Sequence, residues 1–144
     1  MKPNDDQIHE IAENLDFGMK CFFNKKTGEI TCCFVADQWI GSDTELQEED
    51  IQKIEDHSED YIEFYGLDTH ESFELMADFA DCVDDFKLKE RLFNTLNRPK
   101  PFRSFKDLID NSGKYREQWF AYKHMRYVQM VREQIELSAE QNEH

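Results

Sequence analysis

The spacing of apolar residues becomes predominantly helical after Gly66, and that change constrains the fold most strongly. Before it, two segments rich in Cys, Phe, Ile, Thr and Val, residues 20–23 and 29–35, flank the turn-forming residues Asn24 to Gly28, a pattern typical of a β-hairpin. Tyr61–Tyr65 has a similar composition and predicts a third strand. After it, apolar residues recur at helical spacing. The sequence therefore predicts an α+β fold: a small antiparallel sheet of about three strands in the N-terminal half, packed with four to six helices, and a mostly helical C-terminal half.

Periodicity and capping residues place the first helices. Near the N-terminus, apolar residues at positions i, i+3, i+4 and i+7 predict an amphipathic helix whose buried face is formed by Ile8, Ile11, Ala12 and Leu15. Later in the chain, Asp68 or Thr69 is predicted to cap a helix that runs to Val83. Asp84-Asp85 is predicted to cap a second helix that runs to Leu96.

Prolines divide the C-terminal third of the chain. Pro99 and Pro101 cannot continue a helical hydrogen-bond ladder, so the helix before them must stop. A short helix is predicted from Ser104 to the turn at residues 111–113. A long helix is predicted over about residues 115–137, and one of its sides carries Phe120, Tyr127, Val131 and Ile135.

Length and hydropathy limit the architecture and the location. The 144 residues suit one domain, which we predict over residues 1–137, followed by a frayed polar tail over residues 138–144. No segment approaches the roughly 20 apolar residues that a membrane span requires. The first residues lack the apolar core of a signal peptide. We therefore expect a cytoplasmic protein that has no membrane partner.

The chain is strongly acidic, and its charge is uneven. Its 32 Asp and Glu residues against 17 Lys and Arg residues give a net charge of −15. Residues 97–132 depart from this trend, with nine bases and three acids. Taken whole, such a chain is repelled by phosphate backbones and attracted to cationic partners. Its charge is polarised along the sequence.

Four cysteines raise the question of redox chemistry or metal binding. No Cys-x-x-Cys pair with zinc-ligand spacing occurs among Cys21, Cys32, Cys33 and Cys82. The favoured interpretation is reduced thiols, most of them buried as small apolar side chains. The adjacent pair Cys32-Cys33 has the alternative roles of binding a soft metal or sensing oxidation.

Residues 98–132 mix basic and aromatic side chains. Cations neutralise phosphates and ring faces stack on unpaired bases, so this mixture suits single-stranded nucleic acid. The candidate binding residues are Arg103, Lys106, Lys114, Trp119, Lys123 and Arg126. In the structural alternative, the rings belong to the core and the bases pair with acids of the same chain. No RNA-recognition motif, KH loop or zinc knuckle accompanies the segment.

Two groups of acids are candidates for binding cations. Carboxylates at helical spacing predict one acidic stripe on a helix, made of Glu74, Asp78, Asp81 and Asp85. Such a stripe can face a basic partner or a divalent cation, or it can be ordinary solvated surface. Residues 42–63 hold ten acids and one base. This acidic segment is predicted to be a surface helix or semi-ordered, and it is either solubilising surface or a mimic of a nucleic-acid backbone.

Short motifs resemble a known family. They are Gly28-Glu29 after the hairpin loop, ELMADFADCVDD over residues 74–85, PFRSFKD over residues 101–107 and REQWF over residues 116–120. The chain resembles bacterial uncharacterised protein family (UPF) 0158 over most of its length, most specifically over residues 72–120. The resemblance implies a compact bacterial α+β domain. It implies no activity, cofactor or catalytic residue.

The function that the sequence favours is a non-catalytic interaction module. No glycine-rich phosphate loop, nucleophile elbow or His-Glu-x-x-His motif is present, so no catalytic residue, cofactor or metal is predicted. Polarised charge favours a protein partner, including a cationic one. Nucleic-acid binding through residues 97–132 is the first alternative, and an unrecognised hydrolase or metal enzyme is the second.

Overall fold

The computed structural model describes residues 2–34 and 44–141 of the chain. Six helices lie in these ranges: α1 Asp5–Asp16, α2 Thr44–Asp56, α3 Thr69–Cys82, α4 Phe86–Leu96, α5 Pro101–Asp110 and α6 Lys114–Gln141. The three strands are β1 Met19–Asn24, β2 Ile30–Phe34 and β3 Tyr61–Phe64. A one-turn 3-10 helix, Ser58–Asp60, precedes β3. The predicted α+β class, with its sheet in the N-terminal half, is confirmed.

The chain divides into two compact units. The sheet unit comprises Met1–Gly66 and Arg126–His144, and the helical unit comprises Leu67–Met125. Helix α6 continues through Gln141, so it includes the first four residues of the predicted tail. The single domain over residues 1–137 stays a prediction. None of the described helices combines the length and apolarity that a membrane span needs.

Turn chemistry and alternation build the antiparallel sheet, whose strand order is β2-β1-β3. Gly28 has φ 77°, the left-handed conformation that the hairpin turn between β1 and β2 requires. Phe23 lies on β1 opposite Ile30 of β2 and Ile62 of β3. Phe23 and Phe64 are fully buried. The apolar face of α1 is also buried, at all four predicted positions: Ile8, Ile11, Ala12 and Leu15.

Two predictions for the C-terminal helices, one boundary and one buried position, need correction. Helix α5 begins at Pro101, three residues before the predicted Ser104, because proline fits the first position of a helix, where its missing N–H has no bond to make. On α6, Tyr127, Val131 and Ile135 are buried as predicted, but Phe120 is 39% exposed.

The acidic segment over residues 42–63 is only partly covered by the described residues. It contains α2, so its first half is helical from Thr44 onward. Residues 42 and 43 lie outside the described residues, as does Val35, which was predicted to extend β2.

Candidate binding surface on helices α4 and α5

Helices α4 and α5 follow one another in the helical unit, and their sequences explain where each begins. Helix α4 starts after Asp85, whose carboxylate accepts a hydrogen bond from the backbone N–H of Leu88 at 3.2 Å. That bond satisfies one of the N–H groups that a helix start leaves unpaired. Leu92 of α4 and Ile109 of α5 are completely buried, so each helix turns one apolar face to the interior.

A cleft of about 390 Å³ lies between polar positions of the two helices. Its lining residues are Arg91, Asn94, Thr95 and Arg98 from α4 and the turn after it, and Ser104, Asp107 and Leu108 from α5. On each side they recur three and four residues apart, which is the spacing of one helix face. The lining presents two guanidinium groups, one amide and the Ser104 hydroxyl against one carboxylate, whereas the Thr95 hydroxyl donates to the Leu92 carbonyl at 2.6 Å. Such a set of donors suits an anionic group.

The helical unit separates its charges along the sequence. Residues 68–85 hold seven acids and no base, whereas residues 87–123 hold ten bases and four acids. Among these bases, Lys89 pairs with Asp81 at 3.3 Å, and Arg116 pairs with Asp110 at 3.5 Å.

Six cations of α4, α5 and the turn between them are exposed and form no ion pair within residues 2–34 and 44–141: Lys87, Arg91, Arg98, Lys100, Arg103 and Lys106. We call four of them, Arg91, Arg98, Arg103 and Lys106, together with the cleft, the α4–α5 basic surface. Phe102, which is 38% exposed, supplies an apolar contact beside Arg103.

Trp119 is not part of an exposed surface, which corrects its predicted role in nucleic-acid stacking. It is 6% exposed, and its ring centroid lies 5.2 Å from that of Phe79 and 5.1 Å from that of Phe105. Both neighbours are buried as well. The aromatic cluster therefore belongs to the core of the helical unit, as the structural alternative proposed for this residue.

The other predicted patch residues are distributed over two helices and both units. Arg103 and Lys106 lie on α5, within the α4–α5 basic surface. Lys114 and Lys123 lie on α6, where their ammonium groups approach aromatic rings, that of Lys114 at 5.1 Å from the Tyr115 centroid and that of Lys123 at 5.5 Å from the Trp119 centroid. Arg126 belongs to the sheet unit.

A short hydrogen bond links α6 to the segment before α4. The Tyr115 hydroxyl donates to the Asp84 carboxylate at 2.5 Å. This bond favours the neutral phenol and the charged carboxylate. It raises the pKa of Tyr115 to about 12 and lowers the pKa of Asp84.

The predicted acidic stripe does not lie on one helix. Glu74, Asp78 and Asp81 are exposed on α3, but that helix ends at Cys82, and Asp85 instead caps α4. Glu74 lies 2.9 Å from the imidazole of His70. Among the described residues, no three His, Cys, Asp or Glu side chains gather closely enough to hold a metal ion.

The sequence predicted the basic character of this segment, but it did not predict which residues line the cleft. The spacing of Arg91, Asn94 and Arg98 was a usable signal, because these positions share one face of a helix. It was incomplete, since the opposite wall comes from α5 and depends on how the two helices pair.

Comparisons with known proteins identify a family but no activity. The model of the Uncharacterised protein family (UPF0158) matches residues 5–142, which confirms the resemblance seen in the sequence motifs. No curated protein and no solved structure matches the chain.

Proposed function

We propose, starting from the fact that the chain belongs to the Uncharacterised protein family (UPF0158), that it is a non-catalytic interaction module of the cytoplasm. The α4–α5 basic surface binds a short acidic segment of a partner protein. The observation that carries the proposal is that the four cations of this surface are exposed and form no ion pair among the described residues, and that two of them line a polar cleft.

The chemistry of the cleft favours carboxylates presented by a peptide. A guanidinium group presents paired N–H donors that match a carboxylate bidentately, and these charge-assisted hydrogen bonds are among the strongest in proteins. Asn94 and Ser104 add donors that a peptide backbone can use. The exposed ring of Phe102 gives the edge of the surface an apolar contact.

Nucleic acid fits the same surface less well. Single-stranded nucleic acid gains much of its affinity from bases stacked on exposed rings. The predicted stacking residue, Trp119, is buried. A long polyanion also meets the repulsion of a chain with a net charge of −15, whereas a short acidic segment carries few charges.

Binding of defined probes tests the proposal. Fluorescence anisotropy compares a labelled peptide with five glutamates, a peptide of the same length with five lysines, and a single-stranded RNA, at low salt. We expect binding of the glutamate peptide, and at least tenfold weaker binding, about 1.4 kcal/mol, by Arg91→Glu/Arg98→Glu. The control variant, Lys2→Glu/Lys53→Glu, makes the same charge change at exposed positions of the sheet unit and should leave binding within about twofold.

Each other outcome contradicts the proposal in a distinguishable way. Preference for the RNA supports the nucleic-acid alternative. Preference for the lysine peptide indicates that acidic residues of the chain, rather than the α4–α5 basic surface, bind the partner. Equal weakening by both double variants means that net charge, rather than the α4–α5 basic surface, governs binding.

A further inference from the structure

Two cysteines face each other across the hairpin of the sheet unit. Cys21 on β1 lies directly opposite Cys32 on β2. The backbone N–H of Asn24 donates to the carbonyl of Glu29 at 2.9 Å, so Asn24 and Glu29 form a hydrogen-bonded pair next to the turn. Antiparallel pairs alternate along a ladder, so Cys21 and Cys32, three positions further on, form a non-hydrogen-bonded pair. In such pairs the Cα atoms are about 4.5 Å apart and the side chains are closest.

The sulfur atoms are already near bonding distance. The Cys21 and Cys32 Sγ atoms are 2.9 Å apart and share a hydrogen bond. A disulfide holds its sulfurs at about 2.05 Å and bridges Cα atoms about 4.4–6.8 Å apart. Bond formation therefore needs a movement of less than about 1 Å and no shift of the strands.

The two thiols differ in exposure and in acidity. Cys21 is completely buried, whereas Cys32 is partly exposed. Their shared hydrogen bond lowers the pKa of Cys32, and it raises the pKa of Cys21, which burial raises further. The thiolate is the reactive form of cysteine. The accessible member of the pair is thus the one that ionises more readily.

We propose that Cys21 and Cys32 form a reversible dithiol–disulfide site that a peroxide oxidises. In the first step the Cys32 thiolate attacks one oxygen of hydrogen peroxide, the O–O bond breaks, and hydroxide leaves as Cys32 becomes a sulfenic acid. In the second step the Cys21 thiol loses its proton and its Sγ attacks the Cys32 Sγ. The S–O bond breaks and water leaves. The two cysteines together lose two electrons, and the peroxide is reduced to two waters.

The geometry selects the Cys21–Cys32 pair over links that involve Cys33 or Cys82. Cys33 lies opposite Lys20, and its side chain points to the other face of the hairpin from Cys32. Adjacent residues of one strand therefore cannot both reach Cys21. Cys82 lies at the end of α3 in the helical unit. The expected product is the Cys21–Cys32 disulfide alone, and a dithiol reductant such as dithiothreitol reverses it by exchange.

Peptide mapping by mass spectrometry without reduction tests the site. Trypsin cleaves after Lys20 and Lys25, which releases Cys21 in a short peptide, whereas Cys32 and Cys33 stay together in another. The Cys33→Ser variant assigns the link without ambiguity, because only Cys32 then remains in the second peptide. After treatment with a small excess of hydrogen peroxide, we expect loss of two of the four thiols, a Cys21–Cys32 linked peptide, and recovery of both thiols with dithiothreitol.

Variants at the two positions complete the test. Cys32→Ser should abolish the linked peptide and protect Cys21 from oxidation at the same peroxide concentration. Cys21→Ala, an apolar change at a buried site, should leave Cys32 to accumulate as sulfenic or sulfinic acid. Retention of all four thiols in the wild type, or a link that involves Cys33 or Cys82, overturns the proposal. The peptide map of the wild-type protein tests the proposal even if Cys21→Ala does not fold.

Discussion

Replacement of Trp119 by alanine separates a core role for this ring from a binding role. Trp119 is 6% exposed and contacts Phe79 and Phe105 with its ring. Removing a buried tryptophan costs about 3–5 kcal/mol of unfolding free energy, because apolar burial is lost and a cavity remains. The two ring contacts account for about 0.5–1.5 kcal/mol each of that cost. With a urea m-value of about 2 kcal/mol/M, the unfolding midpoint should fall by about 1.5–2.5 M.

The adjacent residue is the matched control. Phe120 is 39% exposed, and its ring centroid lies 4.8 Å from the guanidinium of Arg116. An exposed contact of this kind is worth about 0.5–1 kcal/mol. Phe120→Ala should therefore lower the urea midpoint by only about 0.5 M. Urea denaturation followed by far-UV circular dichroism measures all variants with one probe that does not depend on tryptophan.

A second measurement covers the case in which Trp119→Ala does not fold. In a Trp39→Phe background, Trp119 is the only tryptophan, since the chain has two. Its fluorescence should resist quenching by acrylamide until the protein unfolds. Equal midpoint shifts for the two alanine variants would refute the core assignment, as would quenching of Trp119 comparable to that of a free tryptophan derivative.

Three further predictions concern the pH dependence and the backbone of the helical unit. Asp84 raises the pKa of Tyr115 from 10.0 to about 12, so the folded state holds this proton more tightly; the stabilisation is complete below about pH 10 and is lost as the pH rises toward 12. Tyr115→Phe should flatten the fall in melting temperature across this alkaline range, and an unchanged slope contradicts the linkage. Gly113 has φ 65° and open space at its Cβ position, so Gly113→Ala should cost about 1 kcal/mol in urea denaturation through backbone strain alone. Lys100→Gly, at φ 55°, should be near neutral because released strain offsets the greater chain entropy of glycine; a loss above about 1 kcal/mol contradicts this.

The sheet unit could be predicted from the sequence because its signals are local. The spacing of four apolar residues defined the buried face of α1, and Gly28 defined the hairpin turn. The sequence predicted β3 only as a third strand beside the hairpin. The pairing of β3 with β1 rather than with β2 depends on long-range packing.

The aromatic residues of α6 show where local pattern stops being sufficient. Trp119 and Phe120 are neighbours, and either position is compatible with a helical apolar stripe that continues at Tyr127. The rings of Phe79 and Phe105 decide between them, because they form the site that Trp119 fills. Those partners come from α3 and α5, so periodicity within α6 could not identify them.

The turn between α4 and α5 shows a different limit. Pro99 and Pro101 correctly indicated that α4 must end, but the next helix was predicted to begin at Ser104, three residues too late. Proline breaks a helix that precedes it and yet is favourable as the first residue of one that follows. Between the prolines, Lys100 adopts a left-handed conformation, which few residues other than glycine adopt and which no sequence pattern signals here.

The range of the electrostatic interactions limits what the α4–α5 basic surface can attract. The helical unit holds ten bases and eleven acids, so beyond a Debye length, about 8–10 Å at physiological salt, it presents almost no net charge. The sheet unit, with seven bases and 21 acids, repels anions at longer range when salt is low. Attraction by the four cations of the α4–α5 basic surface is therefore effective only at contact distance. A ligand with a few closely spaced carboxylates gains this attraction in full, whereas a long polyanion adds repulsion with each further charge. Added salt should then weaken the short acidic peptide only modestly, because few counterions are displaced when it binds.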